Sequence, residues 1–450
     1  MKIVSSYKVK IKHYNNIFSG MVDIYRRAVA FFIDVCDKHW QEIQGLTAKK
    51  RNNYVEKLTI KTIRNSNVKY DFSMNFHKMP SYLRRAAIQQ AIGAYSSYTS
   101  NLTNWENSDK NGKKPTLTTI RNIMPTLYKN NCYIRTSTNT CKIKIFHKND
   151  WIWLNIDLRE QDVKYIDKNC TLSRELVPTL KKQGKVWFLT FPFEENIKLV
   201  AVPTNQKIIC AVDLGLNNNA VCSIMQSDGT VVARKFINLA TEKDHLQKAL
   251  NRQKKAQQNG NRKTPIKWQH VNDINTDISR KTAKNIIDFA TLHKADTIVF
   301  EYLDMKGKKK GSEKQRLHLW RKREIQKLVE HKAHKLGMRI SRVNAWNTSR
   351  LAYDGSGRVE RGDPSARRAG YKIDGVKKCN YSICVFANKK IYNCDLNASY
   401  NIGSRYFIRE ILKSDPVMAR LPNETKVFRF GTGTTRTLST LIRLNAELAA

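Results

Sequence analysis

Three acidic residues stand at places where an acid is costly. Asp213 follows at once on the apolar run Ile208 to Val212, Glu301 follows Ile298-Val299-Phe300, and Asp395 heads a helical run carrying Leu396, Ala398 and Ile402. A carboxylate at the end of a buried element carries a desolvation penalty unless it is paired or used. Taken singly, each has an ordinary explanation as a helix cap or a surface group. Taken together, they are an all-oxygen set of the kind that hard magnesium prefers, since Mg2+ binds a few carboxylates and keeps several waters. Two such ions roughly 4 Å apart activate a water and stabilise the departing oxygen in phosphodiester hydrolysis. Asp213 and Glu301 at strand ends and Asp395 at a helix N-terminus fit that chemistry, and the helix dipole favours the ionised form of Asp395.

The elements that must position them are legible around Asp213. The run 208–212 is too short for a helix and reads as a buried central strand. Two further apolar runs, Ala220 to Ile224 and Val231 to Phe236, are joined by Ser227-Asp228-Gly229, a strong hairpin signal. Residues 241–293 read as very basic helices broken at Asn259-Gly260-Asn261, with Arg252, Lys254, Lys255, Arg262 and Lys263 placed to lie along a phosphate backbone. The basic run 306–316, directly after Glu301, reads as a flexible lid. Residues 317–337 read as another helix, 339–345 as a strand, and 347–394 as irregular.

The N-terminal half changes period. Tyr7, Val9 and Ile11 alternate with lysines as a half-buried strand; 21–43 is an amphipathic helix with Val22, Tyr25, Val29, Phe32 and Cys36 on its core face. A second helix, 81–105, carries Ile88, Ile92, Tyr95, Leu102 and Trp105 on one stripe and Arg84, Arg85, Gln89 and Gln90 elsewhere; amides such as Gln89 and Gln90 read base edges when they lie in a groove. From 116 to 204 the period is mostly two, which suggests a small barrel or sandwich.

Composition narrows the partners. Of 450 residues, 81 are Lys or Arg against 38 Asp or Glu, a formal charge of +43, so a polyanion, above all nucleic acid, is the expected partner. Nine scattered cysteines do not make a secreted disulfide framework. With no signal-type leader and no run of 18 apolar residues, the expectation is a soluble protein of a reducing cell interior, cytoplasmic in a bacterium or archaeon once the resemblance below is added.

The segments VDLGLNNNAV, IVFEYLD and CDLNASYNI resemble the three RuvC motifs of the TnpB family of RNA-guided endonucleases and of compact type V CRISPR effectors. The stretch from Leu317 to Ser349 resembles the part of that family between the second motif and its zinc finger. The match is specific over about 205–410, and the N-terminal half is similar mainly in layout. The resemblance implies a multidomain α+β protein. Residues 205–346 and 395–415 would form an RNase H-like (RuvC) nuclease domain, 1–15 and 111–204 a wedge-like β-barrel, and 16–110 a helical recognition lobe interrupting it. Residues 347–394 would be a degenerate zinc-ribbon-like insert and 416–450 a tail, read as mobile. It makes Asp213, Glu301 and Asp395 the catalytic acids and the ligands of two Mg2+ ions. It also implies a guide RNA, a target DNA and a short flanking DNA motif, with monomer and homodimer both open.

One departure bears on metal content. The family's paired cysteines are missing: after Thr348-Ser349 the chain reads RLAYDGSG, and before Asp395 stand Cys379, Cys384 and Cys394 at spacings unlike paired knuckles. The insert is therefore expected to lack zinc and to contact nucleic acid through Arg358, Arg361, Arg367 and Arg368. Two rival readings keep the same acids or the same partner: an RNA-independent, structure-selective DNase, and an RNA-guided repressor that binds DNA without cutting it.

Overall fold

The computed structural model describes residues 1–13, 16–108, 110–117, 120–261, 263–303, 319–361, 372–373, 376–377 and 382–450. The lid reading of 306–316 lies outside these residues. The chain divides into two compact units, Lys2–Asn196 and Ile197–Ala450 with Met1. Each is a mixture of helices and strands.

The first unit contains strands β1 (Lys2–Lys10), β2 (Tyr133–Arg135), β3 (Thr140–His147), β4 (Asp150–Asp157), β5 (Arg174–Glu175), β6 (Thr179–Gln183) and β7 (Val186–Asn196). These do not close into the barrel expected from their alternating pattern. Among the described residues, β1, β5 and β6 all pair with β7 in one sheet, while β2, β3 and β4 form a separate antiparallel sheet. A bridge from Ile11 to Leu158 joins the ends of β1 and β4, and Thr126, ahead of β2, bridges Thr179 of β6. The physical reason lies just beyond β4. Residues Glu160–Asn169 form a helix whose first turn carries Glu160 and Asp162, acids that favour a helix N-terminus and so end the ladder.

Helices α1 (Ile17–Lys38) and α2 (Ser81–Glu106) share one apolar core with these strands, and Phe18 of α1 meets Trp187 of β7 edge-on at 5.2 Å. The buried stripe of α2 stops at Tyr95, so Leu102 and Trp105 remain only half-buried.

In the second unit, β8 (Ile208–Asp213), β9 (Ala220–Gln226), β10 (Val231–Ile237), β11 (Thr297–Tyr302) and β12 (Arg339–Asn344) form a sheet in the order β10-β9-β8-β11-β12. The first three are antiparallel; β11 runs parallel to both β8 and β12. The turn between β9 and β10 needs its glycine, because Gly229 has φ 97°. Between β10 and β11 lie α3 (Ala240–Gln258) and α4 (Pro265–Leu292), broken near Gly260 as the sequence indicated, and α5 (Lys322–Lys335) precedes β12.

Period-two alternation gives this sheet two apolar faces. Cys210, Val212, Ile298 and Phe300 pack with Ile286 and Ile287 of α4 and with Ile325 and Val329 of α5. Ile209, Ala211 and Val299 face the other way, against α6 (Cys394–Ser414) and α7 (Leu438–Ala449). The α6 contact is close: a Cβ on Gly403 would stand 2.9 Å from Met225 Sδ and 3.3 Å from Ala211 Cβ.

The tail 416–450, read from the sequence as mobile, is folded. It forms short helices, with Phe430, Leu441 and Leu444 buried in the same core as α6. Its apolar residues are divided among three short helices and so show no single long period. Within 347–394, the strands Glu360–Arg361, Ile383–Val385 and Ile391–Asn393 pair antiparallel. Among the described residues no helix is long and apolar enough to cross a membrane.

Candidate active site

The alternation that builds the core also aims the acids. Asp213 lies two residues beyond Ala211, and Glu301 two beyond Val299, so both point to the face covered by α6. Because β8 and β11 are parallel with Val212 opposite Phe300, Asp213 and Glu301 occupy the next level on neighbouring strands. Asp395 sits in the first turn of α6, whose N-terminus Asn393 caps by accepting from the Asp395 and Leu396 amides at 3.0 and 2.9 Å. Two parallel strands and one helix end thus bring the three acids together.

The site is electrostatically tense. Burial pushes the Asp213 carboxyl well above the ordinary carboxylate range, Glu301 and Asp395 push it further, and the Arg361 guanidinium opposes them. Glu301, 9 % exposed, is also raised by burial, against the hydrogen bond from Thr348 and the positive charges of Arg405, Lys322 and Arg361. Among the described residues no three His, Cys, Asp or Glu side chains stand as a ready metal-holding cluster. The donor set nevertheless suits an oxygen-seeking divalent cation: all three groups are carboxylates, and a cation among them would relieve the repulsion that raises Asp213.

Several supporting residues escaped the sequence reading. Thr348 donates its hydroxyl to Glu301 Oε1, and Gln326 Nε2 donates to the Glu301 carbonyl at 3.0 Å. Asn218 Nδ2 donates to Asp395 Oδ2 at 3.0 Å, from a loop in which a Cβ on Gly215 would stand 2.8 Å from the Asn218 carbonyl. Asn397, Asn401 and Arg405 recur every four residues along α6, hence on one stripe. Asn397 and Asn401 donate to the Leu351 carbonyl at 2.9 and 2.8 Å, and Asn401 also to that of Thr348 at 2.9 Å. Arg405 donates to the carbonyls of Asn344, Trp346, Thr434 and Arg436. The signal was present as polar residues at helical spacing directly after Asp395.

The chain has relatives among known proteins. The sequence profile of the Aq_aa04 family matches residues 5–147. The uncharacterized protein aq_aa04 of Aquifex aeolicus (strain VF5) is 33 % identical over 122 residues, covering 24 % of this chain and 68 % of that protein. The chain belongs to the Aq_aa04 family. It is also similar to the TnpB-like protein aq_aa05 of the same organism, 28 % identical over 244 residues, covering 49 % of this chain and 74 % of the relative. The resemblance to the TnpB family is thereby borne out. The structure of the mini-RNA-guided endonuclease CRISPR-Cas_phi3 is similar in fold, with a TM-score of 0.53 at 10 % identity over 89 % of this chain and 92 % of that one.

The nucleic-acid residues proposed for this Aq_aa04-family chain are scattered. Within the family match, Arg84 and Arg85 both reach Glu56, at 3.8 and 3.0 Å, Gln89 accepts from the Tyr128 hydroxyl at 3.2 Å, and Gln90 is half-buried. Arg252, Lys254, Lys255 and Lys263 are exposed on and just after α3, and Arg358 is exposed in the insert. Arg361 is close enough to the acids to stabilise the charged forms of Asp213 and Glu301. Arg262, Arg367, Arg368 and Cys379 lie outside the described residues. Cys384 and Cys394 are buried with Ala352 and Phe386, and the Cys384 thiol donates to the Tyr392 carbonyl at 3.5 Å.

Proposed function

We propose that this protein is an RNA-guided, Mg2+-dependent DNA endonuclease whose second unit is an RNase H-like (RuvC) nuclease. The observation that carries this reading is the meeting of Asp213, Glu301 and Asp395 at one end of one sheet. Asp213, Glu301 and Asp395 would hold two magnesium ions and no zinc. Bound there, magnesium supplies an activated water and neutralises charge on the departing oxygen. The chain's own groups do the positioning. Thr348 fixes Glu301, Asn218 orients Asp395, and Arg361 lends positive potential beside them.

The guide RNA and target DNA are supported by the charge of +43, by the TnpB-like relative, and by a fold neighbour described as an RNA-guided endonuclease. Base pairing with the guide would supply sequence specificity, and the first unit would read a short flanking DNA motif. Residues 16–110 would serve as the recognition lobe of that unit, 1–15 and 111–204 as its wedge, and 347–394 as a zinc-free insert.

The test is to express the chain with its native flanking DNA, sequence the RNA that copurifies, and challenge the complex with a matching duplex in Mg2+. One dominant RNA with a fixed scaffold and a variable end, and cleavage lost in Asp213→Ala, are the expected results. Heterogeneous cellular RNA with cleavage intact would move the assignment to an RNA-independent DNase, and no cleavage with a dominant RNA to a guided repressor.

A further inference from the structure

Beside the 214–219 loop lies a cavity of about 330 Å³. One loop serves both places: Asn218 holds Asp395, while Gly215, Leu216 and Asn219 line the cavity. Its walls are apolar, from Leu246 and Leu250 of α3, Ile278 of α4 and the indole of Trp320, and polar groups of Asp244 and Asn275 also face it. Two cations stand at the rim. Arg321 is fixed there by Asn272 at 3.0 Å, Thr276 at 2.7 Å and an ion pair with Glu324 at 3.0 Å, and Lys243 donates to the Asn217 carbonyl. The Trp320 indole nitrogen is buried without a hydrogen-bond partner, an unmet donor in the wall.

An aromatic side chain, apolar sides, polar groups to meet a base edge and cations at the rim are what an unstacked nucleobase with its phosphate requires. We propose that this cavity receives a nucleobase of the DNA strand being cut, one whose backbone passes over the 214–219 loop. Trp320 supplies the stacking surface, Asp244 and Asn275 face the base edge, and Lys243 and Arg321 meet the adjoining phosphates. This rests on the nuclease reading and adds to it the group that positions the strand.

The test uses the full chain and short single-stranded oligodeoxynucleotides carrying one 2-aminopurine, whose fluorescence falls on stacking. Wild type should give saturable quenching. Trp320→Ala should weaken it on the order of tenfold, Leu250→Trp should do the same by filling the space, and Trp320→Phe should keep most of it. Equal curves for wild type and Leu250→Trp overturn the proposal, whether or not Trp320→Ala folds. The readout needs no cleavage. If cleavage is lost in Asp213→Ala but quenching is indifferent to the cavity, only the pocket fails. If quenching responds but cleavage ignores Asp213→Ala, only the nuclease reading fails.

Discussion

The buried hydroxyl of Thr348 donates to Glu301 Oε1, joining the turn after β12 to the penultimate residue of β11. It is one of the interactions that favour the ionised form of Glu301 against burial. Thr348→Val keeps the shape and removes the donor. The expected result is a loss of roughly tenfold or more in Mg2+-dependent cleavage at neutral pH, since a hydrogen bond to a charged group contributes roughly 1.5–3 kcal/mol. The acidic limb of the pH–rate profile should also move to higher pH, and Thr348→Ser should restore it. An unmoved limb would show that Thr348 does not hold Glu301 in its charged form.

Asp213 gives the opposite trade between stability and function. Its pKa and that of Glu301 are raised on folding. For a raised pKa, the associated stability is complete below the ordinary carboxylate range and is lost as pH rises through the elevated value. Without Mg2+ at neutral pH, Asp213→Asn should therefore melt higher than wild type, by about 2–6 °C, while cutting no DNA. The gap should close below about pH 4. Calorimetry in EDTA across pH 4–8 checks it, and a wild type that melts higher throughout would refute it.

Arg405 is 2 % exposed, and burial lowers its pKa to about 10, which leaves it charged at neutral pH. Replacing it with Met would strip hydrogen-bond donors from the carbonyls of Asn344, Trp346, Thr434 and Arg436 and remove a positive charge that favours ionised Glu301. A loss of about 3–5 kcal/mol in unfolding free energy is expected. Denaturant unfolding measures it; a loss below about 1 kcal/mol would mean that the tail does not depend on this side chain.

The exposed cations Arg252, Lys254, Lys255 and Lys263 have a different signature. Changing all four to Gln should leave melting nearly unchanged. It should reduce the slope of log affinity for duplex DNA against log salt by roughly 0.9 for each phosphate that is no longer neutralised. An unaltered slope would remove this helix pair from the nucleic-acid interface.

The proposal of a zinc-free insert has its own test. A zinc-selective chelator in excess Mg2+ should change neither melting nor cleavage, whereas EDTA should abolish cleavage. Loss of structure on zinc removal would show that the insert holds that metal after all.

The local sequence determined the elements that carry the three acids. A run such as Ile208 to Val212 is too short and too apolar to be anything but a buried strand, Asp228-Gly229 sets a hairpin turn, and the step of four from Asn397 to Arg405 places one polar stripe on one helix. These depend on interactions a few residues apart, which composition and period encode. Tertiary structure decided what no such period contains. The parallel register of Val212 with Phe300 sets Asp213 beside Glu301, although 88 residues separate them in the chain. Thr348 meets Glu301 only because β12 lies next to β11, and the expected barrel stays open because the chain after β4 turns into a helix. Pairing partners are chosen by the burial of whole faces at once, and an alternating pattern says which face a side chain takes but not which strand will lie beside it.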